Sequence, residues 1–201
     1  DVLGFTLFVV FIGRIDPVSF AASSMVFQIN MLAFMPMIGF GMATSILVGR
    51  EIGAGKPNLA QKVTWSAAKL TFGYMITVAV SYWLFPDLYF LPFSAGADPQ
   101  QMQALRPIAV VLLYFVSFYC IFDTGNIIFS AALKGAGDTR FVMYVSIWLN
   151  WLIMVIPSWA AITYLHGRAR LFVAWAALSG YVCALAVLFL LRFLSGKWKS
   201  M

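Results

Sequence analysis

Asp123 lies inside a long apolar run that ends only at Lys134-Gly135-Ala136-Gly137-Asp138. A carboxylate at membrane depth costs ~2.5–3.5 kcal/mol on insertion scales, which makes it a functional candidate by default. Tyr119 stands four residues before it and Asn126 three after it, so one helix face carries all three. This face is expected to bind a coupling ion, with Asp123 the candidate ligand for Na⁺. The competing reading is structural: an aspartate satisfied by hydroxyls of a neighbouring helix.

The surrounding chain has 201 residues, 63% hydrophobic and only 10% charged, with mean hydropathy +0.92. Soluble domains run nearer ~25% charged, so an all-α, polytopic membrane protein is expected. At ~20 apolar residues per span, the length leaves room for about six transmembrane helices. Aromatic residues near the ends of the apolar runs (Trp65, Tyr82, Trp83, Tyr89, Trp148, Trp198) fit interfacial belts. The net charge of +6 is spread over several short loops with no single basic face, which argues against nucleic acid as a partner. Cys120 and Cys183 both fall in apolar runs, without metal-site or disulfide spacing. His166 stands beside Arg168 and Arg170 and reads as a solvated loop residue.

Six helices are expected, at about 1–13, 17–48, 59–85, 99–133, 138–165 and 169–193. The first apolar run, Val2 to Ile12, is too short to span and follows no basic leader. It reads as the remnant of a helix, and the chain as the C-terminal part of something longer. The second helix starts near Pro17 and carries a polar seam of Ser23, Ser24, Gln28 and Asn30. Pro36 sits inside it and Pro157 inside the fifth helix; both are candidate hinges, although kinks that never move fit equally well. Gly39 and Gly41 are expected to leave room for close packing at the first kink. Asn58 is the expected N-cap of the third helix, and Asp98-Pro99 the start of the fourth after a loop from Pro86.

Counting lysines and arginines on alternate sides gives Arg50, Lys56, Lys62, Lys134, Arg140, Arg192, Lys197 and Lys199 against Arg14, Arg106, Arg168 and Arg170. The richer side is expected to be cytoplasmic, and with it the C-terminus. Two loops on that side share a Gly-Ala-Gly, at 53–55 and 135–137. Neither is a P-loop, since no Gly-Lys-Ser/Thr follows at the required spacing. The similarity can reflect no more than a taste of tight turns for small residues.

Four stretches in this order resemble the C-terminal half, helices seven to twelve, of a MATE-type (multidrug and toxic compound extrusion) transporter. They are Ala21-Ala22 through Phe34-Met35-Pro36 to Gly49-Arg50-Glu51-Ile52-Gly53-Ala54-Gly55, Leu133-Lys134-Gly135-Ala136-Gly137-Asp138-Thr139, Pro157, and Arg192-Phe193-Leu194-Ser195-Gly196-Lys197-Trp198. The resemblance implies one six-helix lobe, residues 1–201, of a two-lobed antiporter whose N-terminal lobe is not in this chain. It implies export of small organic cations in exchange for Na⁺ or H⁺ across the bacterial cytoplasmic membrane, with no other cofactor and no enzymatic chemistry. It implies a coupling site at Tyr119 and Asp123, completed by a carboxylate at or near Asp1, where the family pattern has Glu. Ser23-Ser24 and Gln28 stand where relatives often show His-Gln and Asn. Asn126, Gln28, Asn30 and Ser24 are candidates for a polar substrate lining.

Read from residues alone, a membrane-depth carboxylate can be neutralised by Na⁺, a proton or a cationic drug, and mutual exclusion would couple their movements. Met31, Met35, Phe118 and Phe122 could wall such a path, but lipid-facing or core packing is the commoner fate of such side chains. A lipid-linked oligosaccharide flippase is an alternative, though it would need a cationic cavity. A non-transporting structural membrane subunit is another, and it leaves Asp123 unexplained.

Overall fold

A computed structural model describes residues 2–94 and 99–200. It consists of helices: α1 (Val2–Gly13), α2 (Pro17–Gly53), α3 (Pro57–Leu84), α4 (Pro86–Ser94), α5 (Pro99–Gly135), α6 (Thr139–Leu149), α7 (Ile156–Tyr164) and α8 (Ala169–Leu194). A π-helical segment, Asn150–Val155, joins α6 to α7, and a 3₁₀ turn, Lys197–Ser200, ends the described chain. No strand occurs among the described residues. Five stretches are long and apolar enough to cross a membrane: α2, α3, α5, α6 through α7, and α8, while α1 is shorter. The protein is therefore an all-α polytopic membrane protein. α5 occupies the centre, packed against α2, α8 and α3.

Local chemistry explains where these helices begin and end. At the start of α2, Asp16 accepts hydrogen bonds from Ser19 N–H at 2.7 Å and Ser19 Oγ at 2.6 Å, with Pro17 in the first turn. That capping satisfies donors that helix geometry leaves open. α2 continues past Val48 through Gly53, because Arg50, Glu51 and Ile52 are polar or apolar without being helix breakers. The break comes at Gly55, which takes φ +71°. Lys56 N–H bonds Glu51 O and Gly55 N–H bonds Ile52 O, the two contacts of a Schellman cap. The other Gly-Ala-Gly repeats this: Gly137 at φ +95°, Asp138 N–H to Leu133 O, Gly137 N–H to Lys134 O. The shared motif is a shared helix stop.

Several expectations need correction. α3 starts at Pro57 with Lys56 at the cap and no side-chain capping bond, so Asn58 is a first-turn residue. Proline needs no backbone donor there, and this moves the boundary upstream. The segment after Pro86 holds a helix, α4, that Asp87 ties to α5 through an exposed 2.7 Å ion pair with Arg106. Gly39 is exposed with nothing near its missing side chain, whereas a Cβ at Gly41 would meet Ile127 of α5 at 2.8 Å. Closer still is the crossing at Gly135, whose Cβ would overlap Ser45 O, while a Cβ on Gly49 would meet Gly135 O at 3.0 Å. There α2 and α5 touch backbone to backbone. The α6–α7 crossing widens at Asn150–Val155, directly ahead of Pro157. A π turn upstream gives the proline ring room and absorbs its missing donor.

Candidate functional site

A cavity of about 610 Å³ opens between α2, α5, α6 with its π segment, and α8, with Phe5 of α1 at one edge. Five of the polar residues singled out above line it: Gln28 and Asn30 from α2, and Tyr119, Asp123 and Asn126 from α5. Helical spacing on α5 alone aligns the last three, and the α2–α5 packing brings the first two across. The cavity wall is otherwise mostly apolar, including Phe27, Met31, Phe34 and Phe189.

Asp123 is buried, at 6% exposure. Its Oδ1 accepts a 2.8 Å hydrogen bond from Asn126 Nδ2. Among the described residues no lysine, arginine or histidine lies within ion-pair distance of it. Asn126 therefore meets one lone pair of a carboxylate that has several. Tyr119 enters the site through a different partner: its hydroxyl accepts from Asn30 Nδ2 at 3.3 Å. Asn30 Oδ1 in turn accepts from Cys120 Sγ at 3.1 Å. Asn30 thus clasps α2 to α5 beside the carboxylate, and neighbouring Thr124 caps back on Cys120 O at 2.9 Å. Carboxylate, phenol and amide groups thus line one cavity. Such hard oxygen donors suit Na⁺ or a proton.

The other expected residues are placed as follows. Ser24 is half-buried outside the lining, and its neighbour Ser23 is the buried one, accepting from Trp175 Nε1 at 3.3 Å. Ser23 is thus interhelical glue, and neither serine is part of the cavity wall. Pro36 is exposed and Pro157 half-buried, and neither lines the cavity. Met31 lines it; Met35, Phe118 and Phe122 do not, and Met35 and Phe118 face outward. Asp1 lies outside the described residues.

Sequence reasoning missed the polar wall residues Ser130, Ser146, Asn150 and Tyr181, the last two of them large and buried. Asn150 opens the π segment, and its amide fills the space where Gly4 lacks a side chain. The signal was present: the asparagine within Trp148-Leu149-Asn150-Trp151 carries a neutral amide that is costly in lipid unless hydrogen-bonded. Lys134, in the last turn of α5, also reaches the cavity and is the one basic residue in its described lining.

Comparison with known proteins follows the same outline. The MatE family profile matches residues 2–160. A relative described as "Probable multidrug resistance protein NorM" from Brucella suis biovar 1 (strain 1330) is 30% identical over 185 residues, 92% of this chain and 39% of the relative. The protein of the same description from Thermotoga maritima is 28% identical over 173 residues, 86% of this chain and 36% of its own. That from Pseudomonas aeruginosa is 26% identical over 200 residues, 98% of this chain and 39% of its own. The chain spans less than half the length of these relatives.

Proposed function

This chain belongs to the MatE family, and from that premise we propose that it forms one six-helix lobe of a secondary antiporter. The antiporter exports small organic cations in exchange for Na⁺ or H⁺, in agreement with the multidrug-resistance description of its relatives. One observation carries the reading. Asp123 is a buried carboxylate on a cavity wall with a neutral amide as its hydrogen-bond donor and no cationic partner among the described residues. Inside a low-dielectric wall such a group favours any cation that can reach it.

Exchange follows from competition. Na⁺ or a proton at Asp123 removes the charge that would hold an organic cation, and the organic cation displaces the ion in turn. Each can shift the lobe's conformation only by its difference in affinity between the two states. Tyr119 and Asn30 hold the α2–α5 seam beside the carboxylate, Asn126 orients it, and Gln28, Asn150 and Tyr181 offer polar contacts along the path. The π segment ahead of Pro157 supports a bending point in the α6–α7 crossing, since widened turns recur at functional hinges. Pro36 is proposed as the second. A diphosphate-lipid cargo fits less well, because Lys134 is the one basic residue in the described lining.

We place the lobe in a bacterial cytoplasmic membrane with its C-terminus inside, on the eight-to-four count of basic residues. The functional test uses the full-length protein in proteoliposomes. Asp123→Asn is expected to abolish acceleration of organic-cation efflux by an imposed Na⁺ or proton gradient. Unchanged efflux and unchanged ion dependence would remove the basis for the reading.

A further inference from the structure

We propose that the outward face of the first turns of α3 binds the headgroup of an anionic phospholipid. A second, open cavity of about 820 Å³ lies on this face, lined by Asn58, Gln61, Lys62, Trp65, Ser66 and Lys69. No acidic residue is among them. The inward stripe of the same helix, Ala60, Thr64, Ala68 and Thr71, is buried in the lobe. Lys62, Ser66 and Lys69 therefore point away from the bundle, Trp65 stands at its edge, and all four are exposed.

The position along the helix decides what they meet. α3 has 28 residues, about 42 Å at 1.5 Å per residue, against a hydrocarbon core of ~30 Å. With the excess of about 12 Å set at this end, where the basic loops gather, its first two turns lie in the headgroup layer and Trp65 falls near the boundary, where tryptophan settles. The ring is held there edge-on to Phe129 and Phe193, at 5.7 and 6.1 Å. Lys69 stands about one turn deeper. Side chains lean toward the N-terminus of their helix, which here is the polar end, so a Lys69 stem that snorkels back past Trp65 carries its ammonium toward the interface on the face that Lys62 shares. Neither lysine has a carboxylate within ion-pair distance among the described residues. Lys199 brings a third ammonium to the same place, donating to Gln61 Oε1 at 2.6 Å. Three cations and three neutral donors around an interfacial tryptophan match a phosphodiester whose acyl chains continue down α3.

The test is thermal unfolding of the full-length protein in neutral detergent. Dioleoylphosphatidylglycerol is added, with dioleoylphosphatidylcholine and inorganic phosphate as controls. The anionic lipid is expected to raise the unfolding midpoint where the controls do not. Lys62→Gln with Lys69→Gln is expected to lose at least half of that rise, and the paired arginine substitutions to keep it. Retention of phosphatidylglycerol by each single variant in native mass spectrometry provides an independent readout, expected to fall in both. An undiminished rise in the double glutamine variant, or an equal rise with inorganic phosphate, would overturn the proposal. So would resistance of Lys62 and Lys69 to acylation in lipid-free protein, which would mean that another part of the protein covers them.

Discussion

Asp123 and Asp138 are two buried carboxylates, 6% and 4% exposed, and their surroundings are opposite. Asp138, just past the Schellman turn of α5, receives Arg192 Nε at 2.6 Å, and that guanidinium also lies over the Phe141 ring at 4.7 Å. The pair pins the α5–α6 turn to the end of α8, where Trp198 stacks on Phe193 and bonds its carbonyl. Asp123 has Asn126 and a cavity. A buried charge that carries its own counterion is part of the scaffold. One that lacks it, beside a space large enough for a ligand, is free to take its counterion from outside. Burial alone therefore does not mark the site; burial together with the missing partner does.

Breaking the scaffold end has the largest expected effect on stability. Arg192→Ala leaves Asp138 buried without its partner, and such truncations cost ~3–5 kcal/mol. Thermal unfolding of the full-length protein should show this loss, while Asp138→Asn combined with Arg192→Met recovers most of it. The same pair of measurements on Asp123→Asn should show little loss or a gain, because there is no internal cation to strand. Equal destabilisation at both positions would erase the distinction between them.

The α2–α5 crossing comes next. Gly135→Val forces a side chain into Ser45 O and is expected to cost ~1–3 kcal/mol. Gly53→Ala, at the matching place in the other Gly-Ala-Gly turn, has open space and is expected to be neutral or stabilising by up to ~1 kcal/mol. Unfolding midpoints of the two variants separate a packing glycine from a merely turn-proximal one.

Asp16 offers a third carboxylate environment. Partial burial pushes its carboxyl upward, but hydrogen bonds from Ser19 and Val18 and the charge of Arg168 outweigh this and hold it below its usual value. The sign follows: a depressed carboxyl contributes stability above its unfolded value, near ~3.9, and loses it as pH falls through the folded one. Asp16→Ala is expected to cost ~1 kcal/mol near neutral pH and progressively less below about pH 4. A difference that does not shrink on acidification would assign the effect to helix geometry rather than charge. Asn126→Ala is expected to act on ion binding and not on the transport cycle. Losing one hydrogen bond to a carboxylate should change ion affinity by about tenfold, the lower end of what such a bond contributes, while leaving coupling intact, as read in ion-titrated efflux.

The sequence made some of this legible and hid the rest for identifiable reasons. Asp123 was visible because its cost in lipid needs no partner to be known, and Tyr119 and Asn126 followed from helical spacing. Asn150 escaped because it stands alone as an amide in its apolar run, whereas Gln28 and Asn30 belong to a polar seam and Asn126 to the face of Asp123. The Asp138–Arg192 pair joins residues 54 apart, and no local pattern reports such a contact. α4 was hidden by prolines taken as loop markers, although Pro86 stands in a first turn, where proline is at home. The π segment depends on how the backbone upstream of Pro157 yields, which residue types alone do not encode. Gly39 and Gly41 look alike in sequence, and only the path of α5 tells them apart.

The central claim is that ion and organic cation exchange at Asp123. It is tested most directly by mixing unbuffered, purified full-length protein with tetraphenylphosphonium and recording pH and Na⁺ activity with electrodes. The wild-type protein is expected to release a proton or a sodium ion as the organic cation binds, and Asp123→Asn to release neither. Release of the same ion in the same amount by the Asp123→Asn protein would contradict the account.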